Sequence, residues 1–134
     1  MLLSTWCMAI NDAQQLTAWL AAGRLNWLDV YTGEILPSQY PQAHEAICAT
    51  VRAHSGRVAT FRNHSKVMLL GNHATNRYAV VESSANVNTN PRTEQTAVTF
   101  DAGLFDFYKA FFDQVKPFNK NFSDWSPRCG RPTA

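Results

Sequence analysis

Cysteine is scarce in this chain of 134 residues: Cys7, Cys48 and Cys129 are the only three. Their spacing makes neither a zinc site nor a redox pair. An odd count with no secretory leader fits a reducing cytoplasm and argues against a disulfide-stapled scaffold. Long hydrophobic runs are missing too. No window approaches the ~20 apolar residues that a membrane helix needs, so no membrane role is expected. The opening stretch, MLLSTWCMAI, is apolar but short. It lacks a basic flank and a small-residue cleavage site, so it reads as a buried first strand rather than a signal peptide. That strand begins almost at Met1, which leaves an upstream segment open. There is no internal repeat, low-complexity tract, second domain or convincing metal cluster. His44 and Cys48 lie four apart on an expected helix, but two ligands without partners read as packing and surface. His54, near the end of that helix, reads as a complement to its dipole.

What is present is a core. Apolar residues make up 46% of the chain, enough for one domain of this length without staples. The net charge of +2 hides an uneven distribution. Residues 1–51 carry Arg24 against Asp12, Asp29, Glu34 and Glu45. Residues 52–93 carry Arg52, Arg57, Arg62, Lys66, Arg77 and Arg92 against Glu82 alone. Residues 94–134 balance. A positive middle third suits an anionic partner, although basic loop ends also serve solubility.

Periodicity and turn residues predict the order β-α-β-α-β-β-β-β-α. LLSTWCMAI is a strand. NDAQQLTAWLAAGRL is a helix capped by Asn11 or Asp12, with Leu16, Trp19 and Leu20 on one face and Gly23 at its end. NWLDVYTG is a second strand, and LPSQYP a loop. QAHEAICATVRAHSG is a helix with a stripe of Ala43, Ile47 and Val51, ended by Gly56. RVATFRN and HSKVMLL are strands, GNHATNR a polar hairpin, and YAVVESSAN and TEQTAVTF further strands. GLFDFYKAFFDQVK is a helix with a face of Leu104, Phe107, Tyr108, Phe111 and Val115, stopped by Pro117. That aromatic stripe is expected to be core or dimer-facing surface rather than a base-stacking platform. Early β-α alternation predicts an α/β fold, a mixed β-sheet flanked by helices. Residues 118–134 read as a polar C-terminal tail.

The chemistry gathers in residues 61–95. His64-Ser65-Lys66 is expected inside a strand, with both outer side chains on one face. A hairpin later comes Ser83-Ser84-Ala85-Asn86, and then Glu94-Gln95. Paired strands can bring His64, Lys66, Ser84 and Asn86 to one end of the sheet. A neutral imidazole is a competent nucleophile toward phosphorus. Lys66 and the Asn86 amide offer charge and donors to phosphoryl oxygens, and Ser84 can add another. Glu94 could hold the histidine's second nitrogen. The bland alternatives are an exposed strand edge for His64 and Lys66, a turn residue for Asn86, a structural hydrogen-bonder for Ser84 and a solvated strand start for Glu94.

HSK followed by SSAN and a downstream Glu resembles the phospholipase D-like superfamily, marked by His-x-Lys and then a Gly/Ser-Ser-x-Asn turn. By layout the chain is similar to its small single-motif bacterial endonucleases, with residues 1–117 as the domain. The resemblance implies metal-independent phosphodiester hydrolysis through a phosphohistidine, with no cofactor. One His64 would attack and a second, from another subunit of a homodimer, would act as general acid and base. The sequence departs from the family pattern in three ways. Gly71 stands where an Asp is common, the gap between Lys66 and Ser84 is longer, and Ser83 replaces the commoner Gly. The expected function is a nuclease acting on DNA or RNA, with Arg62, Arg77 and Arg92 as backbone contacts. The hairpin carrying His73 and Arg77 could also reach toward substrate. The alternatives are a catalytically weak or inactive nucleic-acid-binding protein and a phospholipid hydrolase.

Overall fold

The apolar segments become six strands of one mixed sheet in the computed structural model, which describes residues 1–89 and 91–116. The strands are β1 (Leu2–Thr5), β2 (Asp29–Gly33), β3 (Arg57–Phe61), β4 (Val67–Asn72), β5 (Arg77–Ser83) and β6 (Thr96–Thr99), in spatial order β3-β2-β1-β4-β5-β6. β1, β2 and β3 run parallel, with Leu3 opposite Val30 and Val30 opposite Val58. β4 turns antiparallel to β1, placing Val67 beside Ser4, and β5 and β6 continue as a meander. The helices are α1 (Ile10–Ala21), α2 (Ile35–Gln39), α3 (Pro41–Ala53) and α4 (Ala102–Gln114).

Alternation along the strands sorts the core into two layers. Leu3 and Val30 point to the face covered by α1 and α3, where Leu16, Leu20, Ala43, Ile47 and Val51 are buried. Leu2, Tyr31, Ala59, Leu69 and Val80 point to the other face, covered by α4 through Phe105 and Phe112. The expected α/β architecture is therefore the observed one. No helix among the described residues is long and apolar enough to cross a membrane.

A buried arginine fixes α4. Arg57, at the start of β3, is fully buried. Its guanidinium donates to the Tyr31 hydroxyl at 2.6 Å and to the carbonyls of Phe112 (3.1 Å) and Val115 at the end of α4. Its own N–H is held by Asp29 Oδ1 at 2.8 Å. The last carbonyls of a helix have no intrahelical donors, and a cation there also complements the helix dipole.

Several expected details differ. The first strand stops at Thr5, because α1 begins at Ile10 and the chain must turn between them, so Cys7 follows β1 rather than lying in it. Neither Asn11 nor Asp12 caps α1. Ala9 is the N-cap, without a side-chain bond, and Asp12 sits in the first turn. LPSQYP is not all loop. Pro37 falls in the first turn of the short α2, where its missing N–H costs nothing, and Pro41 opens α3. α3 ends through Ser55 in the left-handed region (φ 56°) rather than through Gly56. On α4 the buried residues are Phe105 and Phe112, flanked by half-buried Leu104, Tyr108 and Val115. Phe107 and Phe111 are 65% and 55% exposed. Pro117, Cys129 and the tail at 118–134 lie outside the described residues.

Candidate active site

The site forms where the parallel strands end. The carboxyl ends of β1 and β3 and the start of β4 meet there, because β1 is parallel to β2 on one side and antiparallel to β4 on the other. Such reversal points open a crevice beside the strand ends. His64 and Lys66 do not lie inside a strand. They occupy an extended connection between β3 and β4. Strand pairing would have tied up this backbone; instead it is held by a side chain that the sequence pattern did not single out.

That side chain is Asn63, 5% exposed. Its amide donates to Ser4 Oγ (2.9 Å) and the Tyr31 carbonyl (3.1 Å), and its Oδ1 accepts from Ser65 N–H (3.0 Å) and Ser65 Oγ (2.6 Å). Ser4 and Ser65 hydroxyls lie 2.7 Å apart, closing a three-residue ring. Every member has its partner, the condition under which a buried polar network rigidifies its surroundings. It anchors the residues on either side of His64.

The two halves of the expected motif come together directly. Ser83 N–H donates to the Lys66 carbonyl at 3.0 Å. Lys66 Nζ lies 2.8 Å from His64 Nδ1 and 2.7 Å from the His64 carbonyl, on an exposed face. In this arrangement the ammonium occupies a ring nitrogen of the imidazole. An anionic phosphodiester offers it a stronger acceptor and would free that lone pair. Burial pushes the Lys66 ammonium below the usual lysine range, opposed by negative charge at Cys7 and Glu94. The Cys7 thiol is pushed up, first by burial, with Lys66 acting in the opposite sense.

Asn86 arrives from the segment after β5, which packs along residues 5–9. Met8 bridges Val87, and Ala9 N–H donates to the Val87 carbonyl. Asn86 Oδ1 accepts from Trp6 N–H at 3.2 Å, which fixes the flip of the amide and leaves its NH2 group to point elsewhere. The Trp6 ring lies against His64, centroids 5.0 Å apart at 52°. Gly33 makes that approach possible. A Cβ on Gly33 would stand 2.3 Å from Trp6 Cδ1 and 2.7 Å from the Asn63 carbonyl.

Two expected roles change. Glu94 does not reach the histidine; it accepts from Ser84 Oγ. Ser84 Oγ in turn accepts from Gln95 N–H at 2.9 Å. Its only proton is directed to Glu94, so Ser84 acts as a clamp on the loop before β6 and not as a donor to phosphate. Of the three arginines, Arg62 follows β3 and Arg92 lies in the loop before β6, both exposed at the site end. Arg77 does not. It opens β5 opposite Asn72, roughly 17 Å along the ladder from Val67. His73 is there too, its Nδ1 3.0 Å from Tyr78 Oη. A cavity of about 1060 Å³ opens at that remote end, lined by Arg24, Trp27, His73, Arg77 and Phe105. It contains none of His64, Lys66 and Asn86.

Gly71 stands at the remote end as well, packed closely by α4. A Cβ there would lie 2.9 Å from Phe105 Cζ, so α4 packs directly on the bare backbone of β4. Among the described residues no group of three or more His, Cys, Asp or Glu is placed to hold a metal ion.

Trp6, Asn63, Ser4 and Gly33 were not singled out from sequence. Their roles depend on contacts across 59 residues (Asn63 to Ser4) and 80 residues (Trp6 to Asn86), and no local spacing signals them. No family model, curated protein or solved structure matches this chain.

Proposed function

We propose that the protein is a metal-independent phosphodiesterase of the phospholipase D-like type, acting on DNA or RNA as a two-fold homodimer. One observation carries this reading: His64-x-Lys66 and Ser84-x-Asn86, on separate segments, meet at one end of the sheet, joined by the bond from Ser83 N–H to the Lys66 carbonyl.

In the proposed reaction a His64 nitrogen attacks phosphorus, forming a P–N bond as the P–O bond to the leaving group breaks. The leaving oxygen takes a proton from the His64 imidazolium of the partner subunit. That imidazole then removes a proton from water, whose oxygen attacks phosphorus. The P–N bond breaks and the histidine is restored. Lys66 and the free NH2 of Asn86 hold the non-bridging oxygens. Arg62 and Arg92 extend positive charge along the chain that carries the phosphate. Nucleic acid is favoured over lipid by this charge.

A second reading, a nucleic-acid-binding protein with little or no turnover, is favoured by one observation: the Lys66 ammonium sits on the His64 ring nitrogen. Cleavage of single- and double-stranded DNA and RNA in excess EDTA, wild type beside His64→Ala, separates the two. Cleavage by wild type alone supports the enzyme. Binding without cleavage by either supports the second reading.

A further inference from the structure

Trp6 is not part of the motif that led to this site, yet its ring is the nearest aromatic surface to the imidazole. It is held from three sides. Its N–H is fixed by Asn86 Oδ1 at 3.2 Å, its carbonyl accepts from Gly33 N–H at 3.2 Å, and its ring edge rests on the bare Cα of Gly33. Trp6 is half-buried as a residue, and the His64 beside it is exposed. A large flat side chain held in place by its own backbone loses little freedom when something stacks on it.

A phosphodiester brought to His64 and Lys66 carries its neighbouring groups onto this indole. A lipid's flexible chains could lie against it but would not stack on it. A nucleotide would bring a base, and base-aromatic stacking is the usual sequence-tolerant grip on unpaired strands. A base inside a duplex is already stacked on both faces and is not available to an indole outside it. We infer that Trp6 is the platform for a base flanking the attacked phosphate, and that the substrate class of this site is single-stranded nucleic acid. The inference rests on the reading of His64 and Lys66 as the phosphate-handling pair.

The test compares an oligothymidylate with an abasic deoxyribose-phosphate strand of the same length and label. Binding is read by anisotropy in a His64→Asn background that cannot form the P–N bond. The protein with Trp6 intact should prefer the base-bearing strand by about fivefold to 150-fold. Trp6→Ala should remove that preference and leave abasic binding unchanged, and Trp6→Phe should keep most of it. Trp6→Leu fills the space over Gly33 without a π face. It should behave as Trp6→Ala does, and it serves as the informative variant if Trp6→Ala fails to fold. Equal losses on both strands, or no preference with Trp6 intact, would overturn the inference. Base-dependent binding by a wild type that cleaves nothing would uphold the platform and remove the catalytic reading instead. EDTA-resistant cleavage indifferent to flanking bases would do the reverse.

Discussion

Replacing Asn63 by alanine isolates the device that holds His64 in place. The side chain makes four hydrogen bonds while 5% exposed. Not all four losses count equally. Ser4 and Ser65 hydroxyls already lie 2.7 Å apart and can still satisfy each other. The Tyr31 carbonyl loses one donor and the Ser65 N–H loses its acceptor, and a buried polar group left unsatisfied costs ~1–3 kcal/mol. The expected loss is therefore about 2–3 kcal/mol, large for a single domain. In urea, with a slope of about 2 kcal/mol per molar for a chain of this size, the midpoint should fall by about 1–1.5 M with the slope unchanged. Arg62→Ala, one residue earlier and exposed, is the control and should stay within about 0.5 kcal/mol. With His64 as the proposed nucleophile, activity of the folded Asn63→Ala protein should fall by ~100-fold, because displacing a reacting group by 1 Å costs that much. A midpoint shift below about 0.3 M would refute the claim that this ring anchors the connection.

Two further expectations concern Gly71 and Lys66. Gly71→Asp, which introduces the residue common in the phospholipase D-like superfamily, should not raise the proposed activity; it should lower stability by about 1–3 kcal/mol in thermal melts, because the new Cβ meets the Phe105 ring at 2.9 Å. A stable, more active Gly71→Asp would show that α4 yields easily at this point. For Lys66, burial lowers the ammonium pKa, and in the proposed reaction the protonated form holds the phosphate. Activity should therefore decline as pH rises through a value below the usual lysine range, and Lys66→Arg should move that alkaline limb upward if it retains turnover. A limb at the same pH in both proteins would assign it to another group.

The helices and strands were largely legible because burial writes a period into the sequence. The stripe of Ala43, Ile47 and Val51 is buried as expected, and Leu16 and Leu20 likewise. α4 was placed correctly, but its inward face was not. Aromatics crowd nearly every side of it, so Phe107 and Phe111 could not be told from Phe105 and Phe112 by periodicity. The meeting of the HSK and SSAN segments was legible because they flank two strands expected to pair, as β4 and β5 do. The supports were not, since a buried Asn63 resembles any polar loop residue until the carbonyl of Tyr31 is known to lie beneath it. Glu94 was misassigned for a related reason: nearness in sequence to β6 put it beside Ser84 and not beside the imidazole.

The Arg57 clamp bears on how the molecule opens. A terminal helix ordinarily frays first, and its last amides exchange with solvent through small local openings. Here the carbonyls of Phe112 and Val115 are held by a guanidinium rooted in β3, 55 and 58 residues earlier in the chain. Lifting the end of α4 takes two acceptors from a buried guanidinium and uncovers Tyr31 and Phe112 together. The last described helix and the parallel half of the sheet are thereby one cooperative unit, and amide exchange at the end of α4 should track global unfolding rather than run ahead of it.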